Sequence, residues 1–254
     1  MKFLWFDTET TGLDCNENDI IQLSGLIIVN GVIKDEFNFK IAPINVNAID
    51  KEAIKVHGIT IEEMMKFPDA LKVKQEFTNL LSKYVDKYNR EDKFIPAGYN
   101  VRFDMDFLNS FFKKCGDAYL FSFINGYALD LYPLALGLHY MGIIPKLTNF
   151  KLETITKHFG IEMKAHDALE DIKATQLLYE KLRSLVLEYD PQSDFEIVDD
   201  NSNEADVEHI PVVCPNCNEM AEQQRNPDNS EIVNCGACGF HSEDGKILYQ
   251  GNRR

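Results

Sequence analysis

Residues 3–14 read FLWFDTETTGLD. An apolar run, Phe3 to Phe6, passes without a break into Asp7, and Glu9 follows at i+2. Alternate side chains of a strand share a face, so a strand continuing through this stretch turns Asp7 and Glu9 the same way. Two adjacent anions repel unless a cation lies between them or one keeps its proton. On this stretch alone three readings stay open: a divalent-metal site, a solvated strand end, and a carboxylate pair for acid–base work.

Working outward, DIIQLSGLIIV (19–29) reads as a second strand, Asn30-Gly31 as a tight hairpin turn and VIKDEFNFKI (32–41) as a third strand. Thr60 with Glu63 forms a capping box that opens a helical stretch to about Tyr88, interrupted near Pro68. KFIPAGYN (93–100) is a short strand entering a turn. In the helix that follows, Phe103, Phe107 and Phe111 recur at i+4, the spacing of one buried face. Asn100 is placed to cap this helix, which puts Asp104 in its first turns. A strand–helix unit spans Tyr127 to Met141, with Asp130 in a structural role, and a helix covers about Phe150 to Phe159. The last helix runs from about Ala168 to Tyr189, with Ile172, Thr175, Leu178, Leu182 and Leu185 on one stripe. Asp167 followed by Glu170 is a capping pattern at its start, so His166 lies in the approach loop and Asp171 in the second turn. A strand hairpin followed by strand–helix alternation predicts one α/β domain with a mixed sheet.

The composition, 44% hydrophobic and 11% aromatic over 254 residues, is that of a globular protein with room for a small second module. The apolar stretch after Lys2 stops at Asp7, and Leu131 to Ile144 is short and interrupted by Pro133 and His139. No signal peptide or membrane span is expected, and a cytoplasmic protein is. The net charge of −15 divides into −6 over residues 1–190 and −9 over 191–254. The first region can therefore still approach a polyanion through metal ions and local lysines.

Residues 190–209 carry eight acidic groups and no lysine or arginine, the composition of a disordered acidic linker. Beyond it, CPNC and CGAC place Cys214, Cys217, Cys235 and Cys238 in two pairs separated by seventeen residues. That spacing reads as a four-cysteine zinc site, and so short a module depends on the metal for its folding energy. The domain plan is thus 1–189, a linker over 190–209, and a zinc ribbon over 210–254. Cys15 and Cys115 stand alone, which suits a reducing compartment.

Taken together, three segments resemble the DEDDh family of 3′→5′ exonucleases, and more narrowly the proofreading epsilon-type subunits of bacterial DNA polymerase III. D-x-E-T-T-G is Asp7 to Gly12; Asn100, Phe103 and Asp104 match the second motif; His166 and Asp171 match H-x4-D. A VHGIT stretch at Val56 to Thr60 is also typical, while Tyr99 replaces the histidine that many relatives have before the asparagine. The resemblance implies an RNase H-like mixed five-stranded sheet flanked by helices, and hydrolysis of DNA or RNA, DNA favoured, to 5′-mononucleotides. It implies two Mg²⁺ or Mn²⁺ ions held by Asp7, Glu9, Asp104 and Asp171, with His166 as general base. Thr10, Gly12, Leu13, His57, Asn100 and Phe103 become contacts for the terminal nucleotide, although His57 could equally pack beneath a helix. The expected partners are a nucleic acid with a free 3′ end, single-stranded or frayed, and a polymerase or other replication protein. The alternatives are an RNA-directed enzyme and a silent exonuclease fold that serves as a binding module.

Overall fold

β1 (Lys2–Thr10) is the middle strand of a five-stranded mixed sheet in the order β3-β2-β1-β4-β5. β2 (Ile20–Val29) and β3 (Val32–Lys40) form an antiparallel meander with it, and β4 (Ile95–Gly98) and β5 (Leu129–Asp130) run parallel to it on the other side. The computed structural model describes residues 1–163, 168–189, 208–214, 220–225, 231–235, 241–243 and 246–249. The chain divides into two units, Met1–Asp190 and Pro191–Arg254.

The sheet of the first unit is buried on both faces, which explains why β2 is apolar almost throughout. Leu4 and Phe6 point into one core with Phe77, Phe107, Leu108 and Phe112. Trp5 points into the other with Ala97, Leu131, Ile155, Ile172 and Leu178. Alternation along β1 thus carries Asp7 onto the Trp5 face and Thr8 onto the Phe6 face. Packing is close: a Cβ at Gly25 would lie 2.1 Å from the Trp5 carbonyl oxygen and 2.6 Å from the Phe37 ring. The hairpin between β2 and β3 turns through Asn30 and Gly31 at φ of 52° and 80°, the left-handed pair that an Asn-Gly turn requires.

Helices cover both faces. α1 (Lys51–His57), α2 (Ile61–Met64) and α3 (Ala70–Ser82) precede β4; α4 (Val101–Lys114) follows it; α5 (Leu131–Tyr140), α6 (Leu152–His158) and α7 (Ala168–Glu188) complete the unit. The Thr60–Glu63 capping box forms as expected, but it opens only the single turn of α2. The break expected near Pro68 is present, where Asp69 restarts the chain by accepting from the Leu71 and Lys72 amides, but α3 ends at Ser82 rather than near Tyr88. α1 was not anticipated. It is capped by Asp50, closed by left-handed Gly58 and contributes no fully buried residue, so no apolar stripe announces it. α7 packs across β1 and β2 through Ile172, Thr175, Leu178 and Leu182. No helix among the described residues is long and apolar enough to cross a membrane.

In the second unit β6 (Glu208–Val213), β7 (Met220–Arg225), β8 (Glu231–Asn234), β9 (His241–Glu243) and β10 (Lys246–Tyr249) form a sequential antiparallel sheet. Cys214 directly follows β6 and Cys235 directly follows β8; both are buried with Ala221 in one small cluster bordered by Val212 and Val233. Cys217 and Cys238 lie outside the described residues, as do residues 190–207 of the expected linker. Glu208 and His209, assigned to that linker from sequence, open β6 instead.

Candidate active site

The carboxyl end of β1 delivers Asp7 and Glu9 to one face of the sheet, and α7 brings Asp171 to meet them. One carboxylate oxygen from each lies within 4.8 Å of the others. Burial, and then the nearby charges of Asp104, Glu9 and Asp171, hold the Asp7 carboxyl well above the usual carboxylate range.

Asp104 sits in the first turn of α4 and is only 4% exposed. Its Oδ1 accepts two hydrogen bonds from Thr8, one from the backbone N–H at 2.9 Å and one from the hydroxyl at 2.7 Å. Burial pushes Asp104 up to about 7; the Thr8 bonds oppose that rise and the Glu9 charge adds to it. Thr8 thus ties the fourth carboxylate to the strand that carries the first two. Sequence reasoning passed over Thr8 as the spacer of D-x-E; only the alternation of β1, which turns it away from Asp7 toward α4, could have drawn notice.

The donor set fits a hard divalent cation. All of the converging ligand atoms are carboxylate oxygens, the type that Mg²⁺ and Mn²⁺ prefer, and their mutual repulsion is what a cation relieves. The strand end is not simply solvated: Asp7, Glu9 and Asp171 are each half-buried and Asp104 is buried.

The rest of the first motif builds a braced loop. A bulge between Glu9 and Thr10 ends the regular pairing of β1 with β2. The Thr10 hydroxyl donates to the Gly12 carbonyl at 2.7 Å, and Thr11 exchanges hydrogen bonds with Asp19. A Cβ at Gly12 would lie 2.5 Å from the Asn18 side chain, so the glycine permits this close approach. Leu13 projects from the loop, 85% exposed. The Asp50 amide donates to the Thr11 carbonyl at 2.8 Å, which docks α1 on the loop. His57 ends that helix, and its Nδ1 accepts from the Ile59 amide at 3.0 Å, so a neutral ring carries its proton on Nε2.

Asn100 precedes α4 but does not cap it with its side chain; it adopts a left-handed conformation, φ 58° and ψ 36°. Asp130 accepts the Asn100 amide at 2.8 Å and the Tyr132 amide at 3.0 Å, and so fastens the end of β4 to the start of α5. Its role is structural, as expected. Phe103 is half-buried, its ring centroid 4.7 Å from that of Phe107. Tyr99 donates its hydroxyl to the Phe150 carbonyl. His166 and Asp167 lie outside the described residues.

The family model RNase_T, described as "Exonuclease", matches residues 4–179. The chain is 32% identical over 178 residues to the PolC-type DNA polymerase III of Listeria welshimeri, covering 70% of this chain and 11% of that one. Against the PolC-type enzyme of Oceanobacillus iheyensis the identity is 29% over 196 residues, 77% of this chain and 12% of the polymerase. Among solved structures, product-bound exonuclease I aligns with a TM-score of 0.60 and 24% identity, over 72% of this chain and 43% of that one. E. coli exonuclease I in complex with a dT13 oligonucleotide aligns at 0.60 and 22%, over 91% and 54%. The chain therefore spans about a tenth of the polymerases and about half of exonuclease I.

Proposed function

This chain belongs to the RNase_T exonuclease family, its residues 4–179 forming the exonuclease domain, and from that membership we propose that it is a metal-dependent 3′→5′ exonuclease releasing 5′-mononucleotides. The single observation that carries the reading is the convergence of Asp7, Glu9 and Asp171 within 4.8 Å, with Asp104 fixed beside them by Thr8. A binding module has no need to assemble four mutually repelling acids. The comparison with PolC-type polymerases favours DNA over RNA.

In this reading Asp7, Glu9, Asp104 and Asp171 hold two Mg²⁺ or Mn²⁺ ions. When bound, such ions lower the pKa of water and neutralise charge on a phosphodiester in displacement. Asp7 and Glu9 would hold them from the end of β1 and Asp171 from α7, with Asp104 oriented by its Thr8 bonds. His166 accepts the proton of the attacking water as the P–O3′ bond breaks, and the bond's electron pair leaves on the O3′ of the penultimate nucleotide. The exposed Leu13, with Thr10, Gly12, His57, Asn100 and Phe103, receives the terminal nucleotide. The substrate is a strand with a free 3′ end, single-stranded or frayed, within cytoplasmic DNA processing, and a replication polymerase is the partner that the PolC likeness favours.

We assign residues 1–189 to the catalytic domain and 210–254 to a zinc ribbon in which Cys214, Cys217, Cys235 and Cys238 bind one structural Zn²⁺. The support is the burial of Cys214 and Cys235 in one cluster, each at the end of a strand. The catalytic reading is tested by titrating Mn²⁺ calorimetrically into wild type and Asp7→Asn and assaying both on a single-stranded oligonucleotide. Loss of both binding and hydrolysis in a folded variant is expected. Hydrolysis near the wild-type rate overturns the metal assignment.

A further inference from the structure

A cavity of about 540 Å³ opens at the carboxyl end of β4, walled by Tyr99, Asn100, Tyr132, Phe150 and Lys151. Its place relative to the carboxylates follows from strand register. Trp5 pairs with Ala97 in the parallel β1–β4 ladder, so Asp7 and Tyr99 come two residues later on adjacent strands. Trp5, Ala97 and Tyr99 all face the same core, and alternation puts Asp7 on that face too. Phe103, a candidate contact for the terminal nucleotide, belongs to the opposite core. Asn100, another of those contacts, lines the cavity itself, so the cavity adjoins the terminal-nucleotide contacts and extends from them on the sheet face away from Phe103.

The cavity has the chemistry of a nucleotide site. Tyr132 is 40% exposed and packs edge-on to Tyr99, ring centroids 5.8 Å apart. Tyr99 is pinned by its bond to the Phe150 carbonyl, and Asp130 locks the backbones of Asn100 and Tyr132 together. The aromatic wall is therefore set before any ligand arrives. Among the described residues the Asn100 side chain makes no hydrogen bond and the Lys151 ammonium makes no ion pair. The left-handed backbone at Asn100 is the kind of strained conformation that persists where the surrounding structure enforces it. A volume of this size accommodates a nucleoside, and aromatic faces beside a cation are how single strands are held without regard to sequence.

We propose that this cavity is the subsite for the nucleotide immediately 5′ of the scissile bond, its base stacked on Tyr132 and its 5′-phosphate paired with Lys151. The proposal rests on the exonuclease reading, which places the scissile phosphate at Asp7. The subsite then fixes the leaving nucleotide, and a damaged or missing base there slows removal of its neighbour.

The test uses the full chain and compares an intact single-stranded oligonucleotide with one that is abasic at the second position from the 3′ end. Stacking of one base is worth about 1–3 kcal/mol by alanine substitution, or about 5- to 150-fold in kcat/KM. Tyr132→Ala should lose that factor on the intact strand and nothing on the abasic one, Tyr132→Phe should restore it, and Lys151→Gln should weaken the salt dependence of KM. Equal losses on both strands, or none on either, overturn the subsite. So does a loss confined to paired substrates, which would assign the cavity to a complementary strand. Should Tyr132→Ala not fold, scanning an abasic position along the substrate with the wild-type enzyme decides, because the penalty must peak at the second nucleotide. A wild type inactive on every strand would instead fail the exonuclease reading itself.

Discussion

Four acids gathered at one strand end make the metal-free protein less stable than its cores alone would leave it, and replacing Asp104 by asparagine should reveal by how much. Burial raises Asp104 from 3.8 to about 7. Between those values the folded chain keeps a proton that the unfolded chain has lost, so stability falls as pH rises through the window from about 4 to about 7. Asp7 is displaced in the same direction and contributes with the same sign. Asp92, held below its ordinary value by its bond to Lys2, acts oppositely, but its contribution is lost only as pH falls below 3.8 and leaves the window untouched. The Asp104 displacement corresponds to about 4 kcal/mol at full ionisation. An asparagine side chain in its place keeps the carbonyl that accepts from Thr8 and discards only the charge. In a chelated sample at pH 8, Asp104→Asn should therefore melt about 8–16 °C above wild type; the gap should shrink to roughly two-fifths of that at pH 5 and close near pH 4. Trp5 is the single tryptophan, buried against Tyr179 in the first unit, so its fluorescence follows this unit alone even when chelation also strips zinc. A metal-free wild type with the same midpoint at pH 5 and pH 8, or an Asp104→Asn protein less stable than wild type at pH 8, would refute the reasoning.

Thr8→Val removes the 2.7 Å hydroxyl bond to Asp104 and leaves the backbone bond; the Mg²⁺ concentration for half-maximal hydrolysis should rise about 10-fold, with Thr8→Ser near wild type. An unchanged metal requirement would show that the hydroxyl does not position the carboxylate. Gly25→Ala drives a methyl group to 2.1 Å from the Trp5 carbonyl; urea unfolding followed by Trp5 should register a loss of about 3 kcal/mol. For the second unit, native mass spectrometry should find one zinc per chain, absent from Cys214→Ser, while the Trp5 melting transition stays in place.

Much of the first unit was legible because its signals are local. The run from Phe3 to Phe6, the Asn30-Gly31 turn and the stripe from Ile172 to Leu182 each declare an element through periodicity or turn chemistry alone. Helix α1 escaped because it rests on the Thr11 loop through backbone bonds rather than through a buried face. Asn100 escaped because a capping residue and a left-handed residue look alike in sequence, and Asp130, thirty positions later, selects between them. The Thr8–Asp104 pair spans 96 residues and depends on how α4 meets the sheet, which no local pattern encodes. The carboxylates themselves were legible as a motif, but the order in which burial and neighbours perturb them required the fold.

The central claim is removal of nucleotides from the 3′ end by the centre around Asp7, and an end-label experiment addresses it most directly. A single-stranded DNA oligonucleotide carrying its label at the 5′ end or at the 3′ end is incubated with the full chain and Mg²⁺. The account predicts a ladder of 5′-labelled strands shortened one nucleotide at a time, immediate release of labelled mononucleotide from the 3′-labelled strand, and no reaction with Asp7→Asn. Labelled mononucleotide appearing first from the 5′-labelled strand, internal fragments, or undiminished cleavage by folded Asp7→Asn would contradict it.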